Sequence, residues 1–133
     1  MSHSLPLLRR CERGAASVEF ALVGLVAIVI FLAILEFGRG LYMRNEMYYA
    51  MDLGARKILT NPAIANADVE AVIRQAISFG GADNLQITFG TQSVNGAPFR
   101  TVLISFPVTL LIPGLTNRSF TMKIDRIVPL GSI

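Results

Sequence analysis

Hydrophobic and polar positions are sharply segregated along this chain. Residues Phe20 to Leu35 (FALVGLVAIVIFLAIL) run without a charge or a strongly polar group, and apolar character extends back to Ala15 and on to Phe37. As an α-helix, Ala15–Gly38 is about 36 Å long, against a hydrocarbon core about 30 Å thick. The pattern predicts a transmembrane helix over 15–38. Helical spacing then continues past the span. From Gly40 to Leu59 there is no proline, and Leu41, Met47, Met51 and Ile58, with Tyr48 and Ala55, recur at roughly helical intervals. Tyr42 falls where aromatic side chains settle at a membrane interface. Asn61-Pro62 ends the pattern, because the residue before proline disfavours the α region. One continuous helix of about 45 residues is expected, half in the bilayer and half packed under a small domain.

Downstream, Asp68 to Phe79 (DVEAVIRQAISF) reads as a short amphipathic helix. Asn66 or Asp68 is its cap, Val69, Val72, Ile73 and Ala76 form its apolar face, and Gly80-Gly81 stops it. Strand periodicity follows: Leu85, Ile87 and Phe89 alternate with Gln86 and Thr88, and Asn95-Gly96 is a two-residue hairpin turn. Phe99 to Ile112 is rich in β-formers, but Pro107 cannot donate to a ladder and implies a bulge or a change of partner. Pro113-Gly114 through Asn117 makes a second turn, after which Phe120, Met122 and Ile124 alternate with Thr121, Lys123 and Asp125. The fold class expected is α+β. A long N-terminal helix, transmembrane half plus soluble half, carries a short second helix and a three-stranded antiparallel meander packed on it. The chain divides accordingly into a basic leader (1–14), a transmembrane helix (15–38) and a small α+β domain (39–133).

Composition agrees with one modest domain and an anchor. With 53% hydrophobic and 16% charged residues in 133, the chain is not disordered. Charge bears on topology. Arg9, Arg10 and Arg13, with Glu12 among them, precede the apolar run, and Arg39 and Arg44 follow it. That balance favours a cytoplasmic N-terminus by a narrow margin. A secretory signal peptide is disfavoured, because the apolar run is too long and no A-x-A site follows it.

Glu19 is the anomaly. A carboxylate in the apolar part of a membrane helix costs roughly 2.5–3.5 kcal/mol at mid-bilayer and less near an end. One explanation is local: the helix N-terminus favours a negative charge by about 0.3–1 kcal/mol. The other follows from the junction Arg13-Gly14-Ala15-Ala16-Ser17-Val18-Glu19-Phe20. If the chain is cut after Gly14, Ala15 gains a free amine and Glu19 becomes the fifth residue. An α-ammonium and a carboxylate on staggered neighbouring helices then neutralise each other and fix packing register.

This junction resembles the processing site of type IV prepilins and pseudopilins. The stretch 13–23, with Leu35-Glu36-Phe37-Gly38-Arg39, is similar to the TadE-like minor pseudopilins of the tight-adherence (Flp, type IVc) pilus system. The resemblance implies cleavage between Gly14 and Ala15 by a prepilin peptidase. A residue without a side chain at Gly14 lets the peptidase approach the backbone closely. Glu19 and Phe20 would direct assembly register. The implied partners are that peptidase, other pilins or pseudopilins, the inner-membrane assembly platform and the lipid bilayer. The implied location is the bacterial inner membrane, single-pass, with the C-terminal domain periplasmic, or the pilus itself. Family members often carry a proline early in the span; here Val23-Gly24-Leu25 stands there, so any kink must come from glycine. The long segment after Gly38 fits a minor component better than a bulk filament subunit. Glu36 has two readings, an intrahelical pair with Arg39 or a contact between helices of a pilin bundle, the latter involving Arg39 as well.

The only His, His3, and the only Cys, Cys11, precede Gly14, so a processed chain would hold neither. That removes imidazole acid–base chemistry, thiol nucleophiles and most transition-metal sites. No H-E-x-x-H, P-loop or Rossmann glycine pattern is present. Asp52, Asp68, Glu70, Asp83 and Asp125 read as single, solvated carboxylates. Neither an enzyme, a metal site nor a cofactor is expected. Arg56-Lys57 is too small a patch for nucleic acid. Asn117-Arg118-Ser119 matches the glycosylation sequon but reads as a turn. The rival class is an unprocessed single-pass anchor whose C-terminal domain binds or senses, with Glu19 merely tolerated.

Overall fold

The computed structural model describes residues 8–80, 82–110 and 119–131. Its elements are α1 (Leu8–Thr60), α2 (Asn66–Gln75), a short 3-10 turn (Ala82–Asn84), β1 (Gln86–Val94), β2 (Ala97–Thr109) and β3 (Ser119–Pro129). The architecture is α+β, with a long N-terminal helix, a short second helix and a three-stranded antiparallel sheet. The chain divides into two compact units between Phe37 and Gly38.

The first unit is helical throughout its described residues. α1 is assigned as helix without interruption through Gly14, Gly24 and Gly38. It is already helical at Leu8, the first described residue, ahead of the expected start at Ala15. Leu22, Leu25, Ile28, Phe31, Ile34 and Leu35 are all exposed. A helix apolar around its whole circumference is a membrane helix or one buried by partners. It is the one helix among the described residues long and apolar enough to cross a membrane.

The second unit has a core of its own. Met43, Met47, Ala50, Met51, Ala55 and Ile58 form a buried stripe on α1 at intervals of three and four. They pack with Val69, Ile73, Ile77, Phe79 and Leu85, with Val102, Ile104, Phe106 and Val108 of β2, and with Ile124 and Val128 of β3. Phe79 and Phe106 meet edge to face, ring centroids 4.9 Å apart. Leu41 and Tyr48, expected on the core stripe, are exposed instead. At about 100° per residue, both lie roughly 100–120° around the helix from Met47. Where α1 crosses α2, Gly54 leaves room for Ile73. A Cβ there would lie 2.9 Å from Ile73 Cδ1 and Cγ1.

α2 begins two residues before the expected Asp68. Its cap is Ala65, in extended conformation and without a side-chain bond. The Ala65 carbonyl accepts from Asp68 N and Val69 N, so neither Asn66 nor Asp68 serves as cap. The helix also ends early, at Gln75, well before Gly80. The chain has already turned aside to offer the Ser78 and Phe79 N–H groups to Glu46.

The sheet order is β1-β2-β3, both pairs antiparallel. Asn95 and Gly96 take positive φ (52° and 82°), as a primed two-residue turn requires. The second turn expected at 113–117 lies outside the described residues. β2 passes through Pro107 with unbroken register, Pro107 opposite Thr121, with neither bulge nor partner change. β1 begins opposite Ser105, so β2 has no neighbour on that side at Pro107, and the missing N–H takes nothing from a ladder.

Candidate functional site

α1 carries Gly14, Ala15, Glu19 and Phe20 in one helical stretch, all exposed. Ala15 and Glu19, four apart, share a face of the helix. Phe20 is 80% exposed, the most exposed large apolar side chain among the described residues. A Cβ at Gly14 would meet nothing within 4 Å. Within a helix, glycine is about 1 kcal/mol less favourable than alanine. Packing in this chain therefore gives no reason for glycine at position 14, in contrast to Gly54. Glu36 is half-buried. Arg39 belongs to the second unit, where its guanidinium donates to the Thr109 carbonyl at 2.6 Å.

The second unit holds a polar cluster that sequence reasoning missed. Glu46 accepts from Ser78 N at 3.0 Å, Phe79 N at 3.2 Å, the Ser78 hydroxyl at 2.6 Å and the Tyr42 hydroxyl. Partial burial pushes the carboxyl up. The bonds from the Ser78 and Tyr42 hydroxyls and from the Ser78 and Phe79 N–H groups outweigh that and hold its pKa at about 2, from an ordinary 4.5. The only signal available in sequence was Tyr42 one turn before Glu46.

Two of the carboxylates expected to be solvated singly are ion-paired. Asp52 pairs with Arg126 of β3, and Glu70 with Arg74 at 2.8 Å, although all four side chains stay partly exposed. Asp68, Asp83 and Asp125 are exposed. Arg74 also donates to the Leu85 carbonyl at 3.0 Å. Arg100 donates to the carbonyls of Ile64 at 3.0 Å and Pro62 at 3.4 Å. These arginines fasten loops and strand ends by charge-assisted bonds to backbone carbonyls, a holding chemistry. Among the described residues no three His, Cys, Asp or Glu side chains converge as a metal site.

The class defined by the described residues is a protein with an N-terminal helix long and apolar enough to cross a membrane and a small α+β unit. Within that class, residues 14–56, about a third of the chain, match the family model described as TadE-like protein. The match opens at Gly14 and closes four residues before the end of α1. No curated protein and no solved structure matches the chain.

Proposed function

We propose that this chain is a prepilin-like minor pilus component that acts in assembly of an adhesive Flp-type pilus. It is inserted in the bacterial inner membrane with the N-terminus cytoplasmic and residues 39–133 as a periplasmic domain. A prepilin peptidase cleaves it between Gly14 and Ala15. The observation that carries this reading is a coincidence at one position. The family match begins at Gly14, the residue that closes the basic leader, precedes Glu19 by five and has no packing reason to be glycine.

After cleavage, the Ala15 α-ammonium and a neighbouring subunit's Glu19 neutralise each other in the membrane. That pairing offsets the cost of an apolar-phase carboxylate, about 2.5–3.5 kcal/mol at mid-bilayer. Leu22, Val23, Val26, Ala27 and Ile30 line an open apolar groove on the same helix, suited to a second helix. Partners are thus other pilins or pseudopilins and the inner-membrane assembly platform. The role is structural. Gly14→Val is expected to leave the leader attached and abolish piliation. Glu19→Ala is expected to be cut normally but to vanish from the assembled fraction. Unchanged processing and piliation in Gly14→Val cells would overturn the reading.

A further inference from the structure

The sheet has two outer strands, β1 and β3, and their free edges differ. In an antiparallel pair, alternate residues bond to the neighbouring strand, and the others turn their N–H and C=O groups away from it. Pro98 fixes the parity. Its carbonyl accepts from Leu130 N on the β3 side, so Pro98 and its register partner Ser93 form a pair without hydrogen bonds. Ile87, Phe89, Thr91 and Ser93 therefore turn their backbone groups away from β2, while Thr88, Gly90 and Gln92 bond to it. Among the described residues, nothing bonds to the outward groups of those four.

On β3 the same parity brings Lys123, Asp125 and Pro129 to the free edge, two charges and a residue without an N–H. Such residues keep a sheet edge from pairing with another chain. β1 has none of them. It is nine residues long, about 31 Å of strand, and its register against β2 is unbroken. No charged residue occurs from Asn84 to Phe99. An edge this long, uncharged and regular is a template for one more strand.

The backbone row sets the class of partner, an extended strand, and the side chains set its pattern. Ile87 and Phe89 are half-buried against the core, whereas Gln86, Thr88 and Gln92 on the opposite face are exposed. A strand laid on this edge needs apolar residues beside Ile87 and Phe89 and polar ones beside Thr88 and Gln92. A second copy of β1 does not meet both needs. With a two-fold axis at Gly90, all four free residues pair, but Ile87 meets Ser93 and Phe89 meets Thr91. With the axis at Phe89, that ring meets its own copy, yet Ile87 meets Thr91 and Ser93 falls beyond the strand. With the axis at Thr88, Ile87 meets Phe89, and both Thr91 and Ser93 fall beyond the strand.

We propose that the free edge of β1 accepts a strand of a different protein, alternating apolar with polar residues, as a fourth strand of the sheet. This surface lies wholly within the second unit and is independent of cleavage at Gly14.

The four outward amides report the pairing directly. Hydrogen exchange would be followed at residue resolution for the full chain alone in detergent micelles, and for the chain labelled in membranes of its native cells. The expected result is free exchange at Ile87, Phe89, Thr91 and Ser93 in the chain alone and a gain of protection there in membranes. Thr88, Gly90 and Gln92 are expected to be protected in both. Thr91→Pro removes one outward donor without touching the β2 ladder, and Thr91→Lys sets a charge on the edge. Each is expected to abolish the gain at Ile87, Phe89 and Ser93. Should Thr91→Pro fail to fold, shown by lost protection at Val102 and Ile104, Thr91→Lys decides. Free exchange at the four positions in both samples would overturn the proposal, as would a gain that the variants keep. Protection already present in the chain alone would also overturn it. If that protection fades on dilution the occupant is a second copy, and if it persists the chain covers its own edge.

Discussion

Glu46 accepts three hydrogen bonds from two residues more than thirty positions away, Ser78 and Phe79, and its charge strengthens that junction. Its pKa is lowered from 4.5 to about 2. The carboxylate's contribution to stability is complete above the ordinary value and is lost as pH falls from about 4.5 through about 2. Glu46→Gln removes the charge and weakens those bonds. Because the side chain is only half-buried and solvent screens it, the expected loss is about 1 kcal/mol, below the usual range for bonds to charged groups. Thermal unfolding in detergent should show a lower midpoint at neutral pH and a flatter acid limb. Hydrogen exchange should show reduced protection at the Ser78 and Phe79 amides. An unchanged acid limb would remove Glu46 from this role. At this scale the sequence was least legible. Asp52 looked solvated because its partner, Arg126, is on the last strand, and nothing local announces such a pair. The reading of Gly14, Glu19 and Phe20 rests on local spacing beside a long apolar run, a signal that needs no distant partner.

Elements were easier to read than partners. Periodicity marked both helices and all three strands, and Asn95-Gly96 fixed the hairpin, since few residues accept positive φ at two consecutive positions. Errors arose where tertiary contacts decide. α2 stops at Gln75 as the chain turns to give the Ser78 and Phe79 N–H groups to Glu46, and Pro107 fits a regular strand because β1 begins too late to need its N–H. Leu41 and Tyr48 were assigned inward because spacing alone tolerates a face too wide. Gly54 is the element-scale test. Gly54→Leu is expected to force α1 and α2 apart at Ile73 and destabilise the unit by about 1–3 kcal/mol. Gly40→Ala, whose added Cβ meets nothing within 4 Å, is expected to stabilise α1 by up to about 1 kcal/mol. Equal melting points for the two variants would show that the helices do not depend on that close approach.

The whole molecule joins a helix that offers apolar surface on every side to a unit that buries its own core. Sixteen uncharged apolar residues in a row are too many for a domain core this small, which is why the sequence predicts an anchor there. It did not reveal that the end of β2 reaches Arg39, because that link is a single arginine-to-carbonyl bond between positions seventy apart. The account's central claim is that Gly14 is a processing site and that Glu19 acts from the fifth position of a new chain. The direct measurement is the intact mass and N-terminal sequence of the protein purified from membranes, with and without the cell's prepilin peptidase. The account predicts a chain beginning Ala15-Ala16-Ser17 only when the peptidase is present. A chain that keeps its leader in both cells would contradict it and leave an unprocessed anchor bearing a binding unit.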